Sequence, residues 1–195
     1  MVVIGVTGHR FLDEVDRIAA CIDQALQRIE EAFPSESVTI VSPLAEGTDQ
    51  VFVQRALAHR RVHLVVPLPL SPEEYLEDFV SGEARALFWR LLARADEVIH
   101  LPPAPTRDAA YAAVGRYVLD RCDVLVAVWD GQPARGPGGT ADVVALAREG
   151  GKPLAWIRPT SHGLEVPHGP LRCETEGSIR FERFPSTAPA ARPHL

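Results

Sequence analysis

The chain has 195 residues, 46% hydrophobic and 24% charged, a balance that supports one sizeable core and excludes disorder throughout. A net charge of −6 disfavours the many basic phosphate contacts that non-specific nucleic-acid binding needs, so nucleic acid is not an expected partner. No apolar run approaches the ~18–20 residues of a membrane span, and "MVVIGVTGHR" at the N-terminus lacks the basic start and cleavage site of a signal peptide, so a cytoplasmic protein without a membrane partner is expected.

Strand-like and helix-like patterns alternate along the chain. "VVIGVTG" (2–8) is a β-branched run that ends in glycine and reads as the first strand. Over 13–33, Val15, Ile18, Ile22, Leu26, Ile29 and Phe33 recur at three-to-four spacing, predicting an amphipathic helix with Asp13 as its cap. Residues 37–44 form the second strand, and a shorter helix near 49–60 places Phe52, Val53, Ala56 and Leu57 inward. Residues 61–69 are the third strand. Ser71 followed by Pro72 is a favoured helix start, and 82–95 put Ala84, Leu87, Phe88, Leu91 and Leu92 on one helical face.

The fourth strand is expected at 96–102, a helix at 107–121 and the fifth strand at 123–129, the most continuously apolar segment. A helix at 141–149 and a sixth strand at 152–157 follow. Apolar strands separated by helices predict a parallel sheet covered on both faces: an α/β, doubly wound, Rossmann-like domain of about six strands over 1–158. Beyond it, 159–195 reads as a Pro/Gly-rich tail, with one edge strand at 178–184.

In such sheets ligands sit beyond the carboxyl ends of the strands, near the point where strand order reverses. Three of those ends carry suitable residues. After the first strand, Gly8 allows a tight turn, and His9 and Arg10 offer donors to a phosphate. After the second, "AEGTD" gives Gly47 and Thr48 the composition of an anion cradle; the other reading is an ordinary helix cap by Thr48 or Asp49. Glu46 beside it suits ribose hydroxyls or a base better than a phosphate. After the fifth, "WDGQPARGPGGTADVV" places Asp130 at the strand end and leads Gly138, Gly139 and Thr140 into a helix, so free amides and a hydroxyl would face the ligand. Asp142 falls in that helix's first turn, where it favours the helix dipole or touches a sugar hydroxyl.

Other chemistries are not signalled. There is no GxGxxG, no GxxxxGK[ST], no GxSxG and no HExxH motif, so no metal or resident cofactor is expected. Cys21 and Cys122 read as packing residues. Tyr75, Phe79, Phe88 and Trp89 form a dense aromatic stretch that either packs the core or supports homo-oligomerisation.

Together, "GVTGHR", "SPLAEGTDQ", "VVPLPLSPEEYLEDF" and "VWDGQPARGPGGTADVVALAREGGKPLAWI" resemble the SLOG superfamily, which includes the Smf/DprA proteins and the LOG phosphoribohydrolases. The resemblance covers roughly 1–158. It implies a Rossmann-like fold that binds a nucleotide, with Gly138, Gly139 and Thr140 matching the phosphate part of the LOG "PGGxGTxxE" loop. This loop is one glycine step short, Asp142 stands near the position of the LOG glutamate, and Glu46 replaces the arginine of the "ARGID"-type turn. Those departures favour binding over LOG-type turnover. The first reading is therefore a nucleotide or nucleotide-derived ligand held by a sensor or carrier. The alternative is hydrolysis of an N-glycosidic bond of a nucleoside monophosphate, with Asp142, Glu46 and Asp130 as candidate carboxylates in that order. A Smf/DprA-like role in DNA processing is a weaker alternative.

Overall fold

The computed structural model describes residues 1–59, 61–134, 138–159 and 178–185. Seven strands form one sheet: β1 (Val2–Gly8), β2 (Val38–Val41), β3 (His63–Leu68), β4 (Glu97–His100), β5 (Val124–Val128), β6 (Leu154–Ile157) and β7 (Ile179–Glu182). Their order is β4-β3-β2-β1-β5-β6-β7. Every neighbouring pair is parallel except β6 with β7. The sheet is one strand larger than the core reading of about six, because β7, from within the segment 178–184, closes the edge beyond β6. The rest of the tail 159–195, apart from Pro159 and 178–185, lies outside the described residues.

Period-two alternation explains why both faces are dry. Val2, Ile4 and Val6 of β1 and Val124, Val126 and Val128 of β5 enter one core, with α1 (Val15–Ala32), α2 (Thr48–His59), α3 (Pro72–Leu76) and α4 (Gly82–Leu92) packed on it. Leu125 and Ala127 of β5 enter the other, against α5 (Arg107–Arg121) and α6 (Thr140–Glu149). Burial of each such aliphatic side chain stabilises the fold by about 1.5–3 kcal/mol. The edge strand β4 is largely exposed, so double cover holds for the central strands only.

Two helix starts behave differently from each other. Ser71 caps α3 as expected, in a reciprocal capping box with Glu74. Asp13 does not cap α1: the helix begins at Val15, with Glu14 at the cap position and no side-chain cap bond, and Asp13 lies in the wall of the cleft described below. Cys21 and Cys122 are both buried. Burial raises the Cys122 thiol to about 11, so at neutral pH it is an apolar packing group. Tyr75, Phe79 and Phe88 pack edge to face in the core, whereas Trp89 is 44% exposed. Among the described residues, no helix is long and apolar enough to cross a membrane.

Candidate functional site

The chain leaves β1 toward β2, β3 and β4, then returns to the opposite side of β1 as β5. The carboxyl ends of β1 and β5 are therefore adjacent, with Gly8 in register with Val128. A cleft of about 850 Å3 opens above this reversal. Gly8, His9 and Arg10 enter it from β1, Asp130 from β5, and Gly138, Gly139 and Thr140 from the entry to α6. These seven residues were drawn from separate turns of the sequence, and the fold brings them into one hollow. Residues 135–137 of the glycine-rich loop lie outside the described residues.

The first turn is tightly held. The His9 amide continues the β1–β5 ladder by donating to the Val128 carbonyl at 3.1 Å. The Asp130 amide donates to His9 Nε2 at 3.0 Å, and the Asp130 carboxylate stands 3.2 Å from the same nitrogen. Burial pushes the Asp130 carboxyl up, but the Gln132 amide and His9 outweigh it and hold the group below its ordinary value. Arg10 lies with its guanidinium 5.5 Å from the Tyr111 ring centre and donates one long bond, 3.4 Å, to the Asp78 carbonyl. The Tyr111 hydroxyl donates to the Asp78 carboxylate, which Arg107 also meets at 2.7 Å. Tyr111 is thereby fixed as a platform for Arg10.

The α6 entry supplies amide donors. Gly139 is the cap residue, with no side-chain cap bond, so the Thr140 and Ala141 amides at the start of the helix have no intrahelical acceptor. Asp142 is spent on the loop itself: its Oδ2 accepts from the Gly138 amide at 2.9 Å. Gly138 has φ +77°, and a Cβ there would meet the Ala112 backbone nitrogen at 2.6 Å. The loop thus lies directly on α5, with Asp142 bracing it from within the helix. Asp142 is not in the cleft wall.

The second turn corrects the sequence reading. Gly47 and Thr48 do not form an anion cradle. The Thr48 amide and hydroxyl both donate to the His9 carbonyl, at 3.1 and 2.9 Å, so neither is free for a ligand. Gly47 has φ +90°, and a Cβ there would fall 2.1 Å from the Arg10 carbonyl oxygen. This turn is a clamp behind the first one. Glu46 is likewise turned away from the cleft. It is 7% exposed, and its two carboxylate oxygens accept from the Val80 and Ser81 amides at 2.8 and 3.0 Å, where α4 begins.

The residue of this turn that does reach the cleft is Asp49, which sequence reasoning treated only as a helix cap. It is 4% exposed, and its Oδ2 accepts from the Ser42 hydroxyl at 3.0 Å and the Ala45 amide at 3.4 Å. Burial raises its carboxyl to about 7, against those two bonds and the field of Arg10. Its signal in the sequence was an acidic residue directly after a glycine turn at a strand's carboxyl end. Tyr75 of α3, 2% exposed, lines the same floor. Among the described residues, no group of His, Cys, Asp and Glu is placed to hold a metal ion.

A second cavity, of about 350 Å3, lies at the opposite end of the sheet between α1 and α2. Its wall is mostly aliphatic, with Val2, Ile4, Leu26, Ile29 and Val38 among its lining residues, and Asp23 there is ion-paired with Arg55 and His59.

Fold and cleft define an α/β protein of the doubly wound, Rossmann-like class. No protein-family model matches the chain, and no curated protein matches it in sequence. Its chain path is similar to that of TM1055, an X-ray structure determined as a Northeast Structural Genomics Consortium target. The two are 15% identical, with a TM-score of 0.46, over 79% of this chain and 72% of that one. A likeness at that level carries no activity or residue role across.

Proposed function

We propose that the protein binds a nucleotide or nucleotide-derived small molecule in the cleft between β1 and β5, as a sensor or carrier. The phosphate sits between Arg10 and the first amides of α6, where a guanidinium and a helix N-terminus act on the same charge. Tyr111 and Phe11 offer aromatic faces to a base; Phe11 is 69% exposed at the cleft wall. The observation that supports this most is the convergence of Gly8–Arg10 and Gly138–Thr140 on one cleft at the reversal of strand order. The same segments carry the resemblance to the SLOG superfamily.

The test is calorimetric titration with the four ribonucleoside 5′-monophosphates. Saturable binding of at least one, weakened in Arg10→Ala, is expected. Absence of binding by all four at millimolar concentration would remove this reading.

One observation favours a second reading. Asp130 is a carboxylate in the cleft wall, beside His9 and held ionised, as stabilisation of an oxocarbenium-like transition state requires. Of the three carboxylates named from sequence it is the one in the cleft. Hydrolysis of the N-glycosidic bond would release free base, and Asp130→Asn would stop it; binding without release of base leaves the sensor reading.

A further inference from the structure

The cleft floor has a polar corner that the phosphate site does not use. Asp49 and Tyr75 both line the cleft, within electrostatic reach of each other and of Arg10. Both bonds that Asp49 accepts end on Oδ2, from Ser42 and Ala45. Among the described residues no hydrogen bond reaches Oδ1 or the Tyr75 hydroxyl, and neither atom is sealed: the two side chains are buried, but these atoms open on the cleft. A buried side chain that leaves a polar atom open and unpartnered in a cleft wall offers it to a ligand, and two such atoms in one wall point to a ligand that fills them.

We infer that Asp49 and Tyr75 form a hydroxyl-binding subsite, which reads the vicinal diol of a ribose while the α6 entry and Arg10 hold the phosphate. This inference rests on the proposed function and specifies its ligand class as ribonucleotides rather than deoxyribonucleotides. The chemistry follows from the atoms on offer. A carboxylate oxygen whose partner oxygen is already saturated accepts from an alcohol without bending away from its own supports. The Tyr75 hydroxyl both donates and accepts, so it can complete the second alcohol of the pair. A phosphate on Oδ1 would meet a carboxylate head on; a sugar would not. Sequence reasoning offered Glu46 or Asp142 to the sugar. The fold gives Glu46 to the start of α4 and brings forward the acid three residues later.

Binding of alcohols favours the ionised form of Asp49. The groups facing it are Arg10 from the β1–α1 loop, Ser42 and Ala45 from the β2–α2 loop, and Tyr75 from α3; Tyr111 and Asp78 act on Tyr75 from farther out. Because the free carboxyl titrates near 7, taking up the diol releases a proton, and preference for the ribo form rises with pH.

The experiment measures affinity of the full chain for each ribonucleoside 5′-monophosphate and for its 2′-deoxy and 3′-deoxy forms, at pH 6 and pH 8. The phosphate titrates alike within each set, so the ratio isolates the diol. A ribo preference of about tenfold is expected at pH 8, where one charge-assisted hydrogen bond is lost with a hydroxyl, and a severalfold smaller one at pH 6. Asp49→Asn is expected to flatten the ratio across pH. Tyr75→Phe, which keeps the ring in the core, reduces it at both pH values, so the inference does not depend on one variant folding. Equal affinity for ribo and deoxy forms, with Arg10 still required, would overturn the subsite and leave the nucleotide reading standing. Absence of binding by every nucleotide would overturn both.

Discussion

The Thr48 hydroxyl and the Thr48 amide end on the same atom, the His9 carbonyl oxygen, at 2.9 and 3.1 Å. With Gly8 and Gly47 flush against this contact, the α2 entry is a mould for the His9–Arg10 turn. Thr48→Val removes one of the two donors and is expected to lower stability by about 1–2 kcal/mol. Gly47→Ala drives a Cβ into the Arg10 carbonyl from a φ that L residues resist. It is expected to lose more, together with ligand binding. Urea denaturation of both variants checks the order.

Among the described residues Arg10 makes one long hydrogen bond, and it otherwise lies over Tyr111. Its removal therefore costs the fold little and the ligand much. Arg10→Ala is expected to weaken nucleotide binding by about tenfold to a hundredfold, the worth of a charge-assisted contact, with a melting temperature within a few degrees of the parent. Arg10→Lys is expected to recover only part of it, since an ammonium lacks the planar fork. Calorimetry and thermal melting of the two variants test this.

Asp49 destabilises the empty fold at neutral pH and above. Its folded carboxyl titrates near 7, against 3.8 as the ordinary value. Between those values the folded state holds a proton that the unfolded state has released. Stability thus falls as pH rises through this window, and the whole penalty is present above about 7. Asp49→Asn removes it. The variant is expected to be more stable than the parent at pH 8, by about 2–4 kcal/mol, with a smaller difference at pH 5. A parent chain that gains stability from pH 5 to pH 8 relative to Asp49→Asn would contradict the burial described for this carboxyl.

Glu46 offers the contrasting case of an acidic residue that supports the fold. Glu46→Gln keeps one acceptor for the Val80 and Ser81 amides and loses the charge at the start of α4. It is expected to lower stability by about 1–2 kcal/mol, while leaving the ribo-to-deoxy affinity ratio unchanged. A changed ratio in Glu46→Gln, with Asp49→Asn silent, would return the sugar contact to Glu46.

The architecture was legible because burial on both faces writes itself as apolar runs. "DVLVAVW" and "KPLAWI" read as strands without reference to anything distant, and the alternation in "SIRFERF" was enough to suggest β7. The convergence of the turns was legible in part: Gly8–Arg10, Asp130 and Gly138–Thr140 line one cleft. The roles within "AEGTD" were not. Whether Thr48 faces a ligand depends on a carbonyl at His9, almost forty residues earlier, and whether Glu46 is free depends on amides at Val80 and Ser81. Asp142 was likewise read as acting on the helix dipole or on a sugar hydroxyl, because nothing local shows that Gly138 turns its amide back toward it. Composition announces which turns have donors; the tertiary contacts decide which donors are already taken.

The most direct test of the central claim is backbone amide NMR of the isotope-labelled chain, titrated with the nucleoside monophosphate that calorimetry selects. Perturbations are expected at Gly8–Arg10, Asp130 and Gly138–Ala141 together, saturating with one affinity. Perturbations confined to the opposite end of the sheet, around Val2, Phe33 and Val38 in the second cavity, or at only one of the two turns, would contradict it.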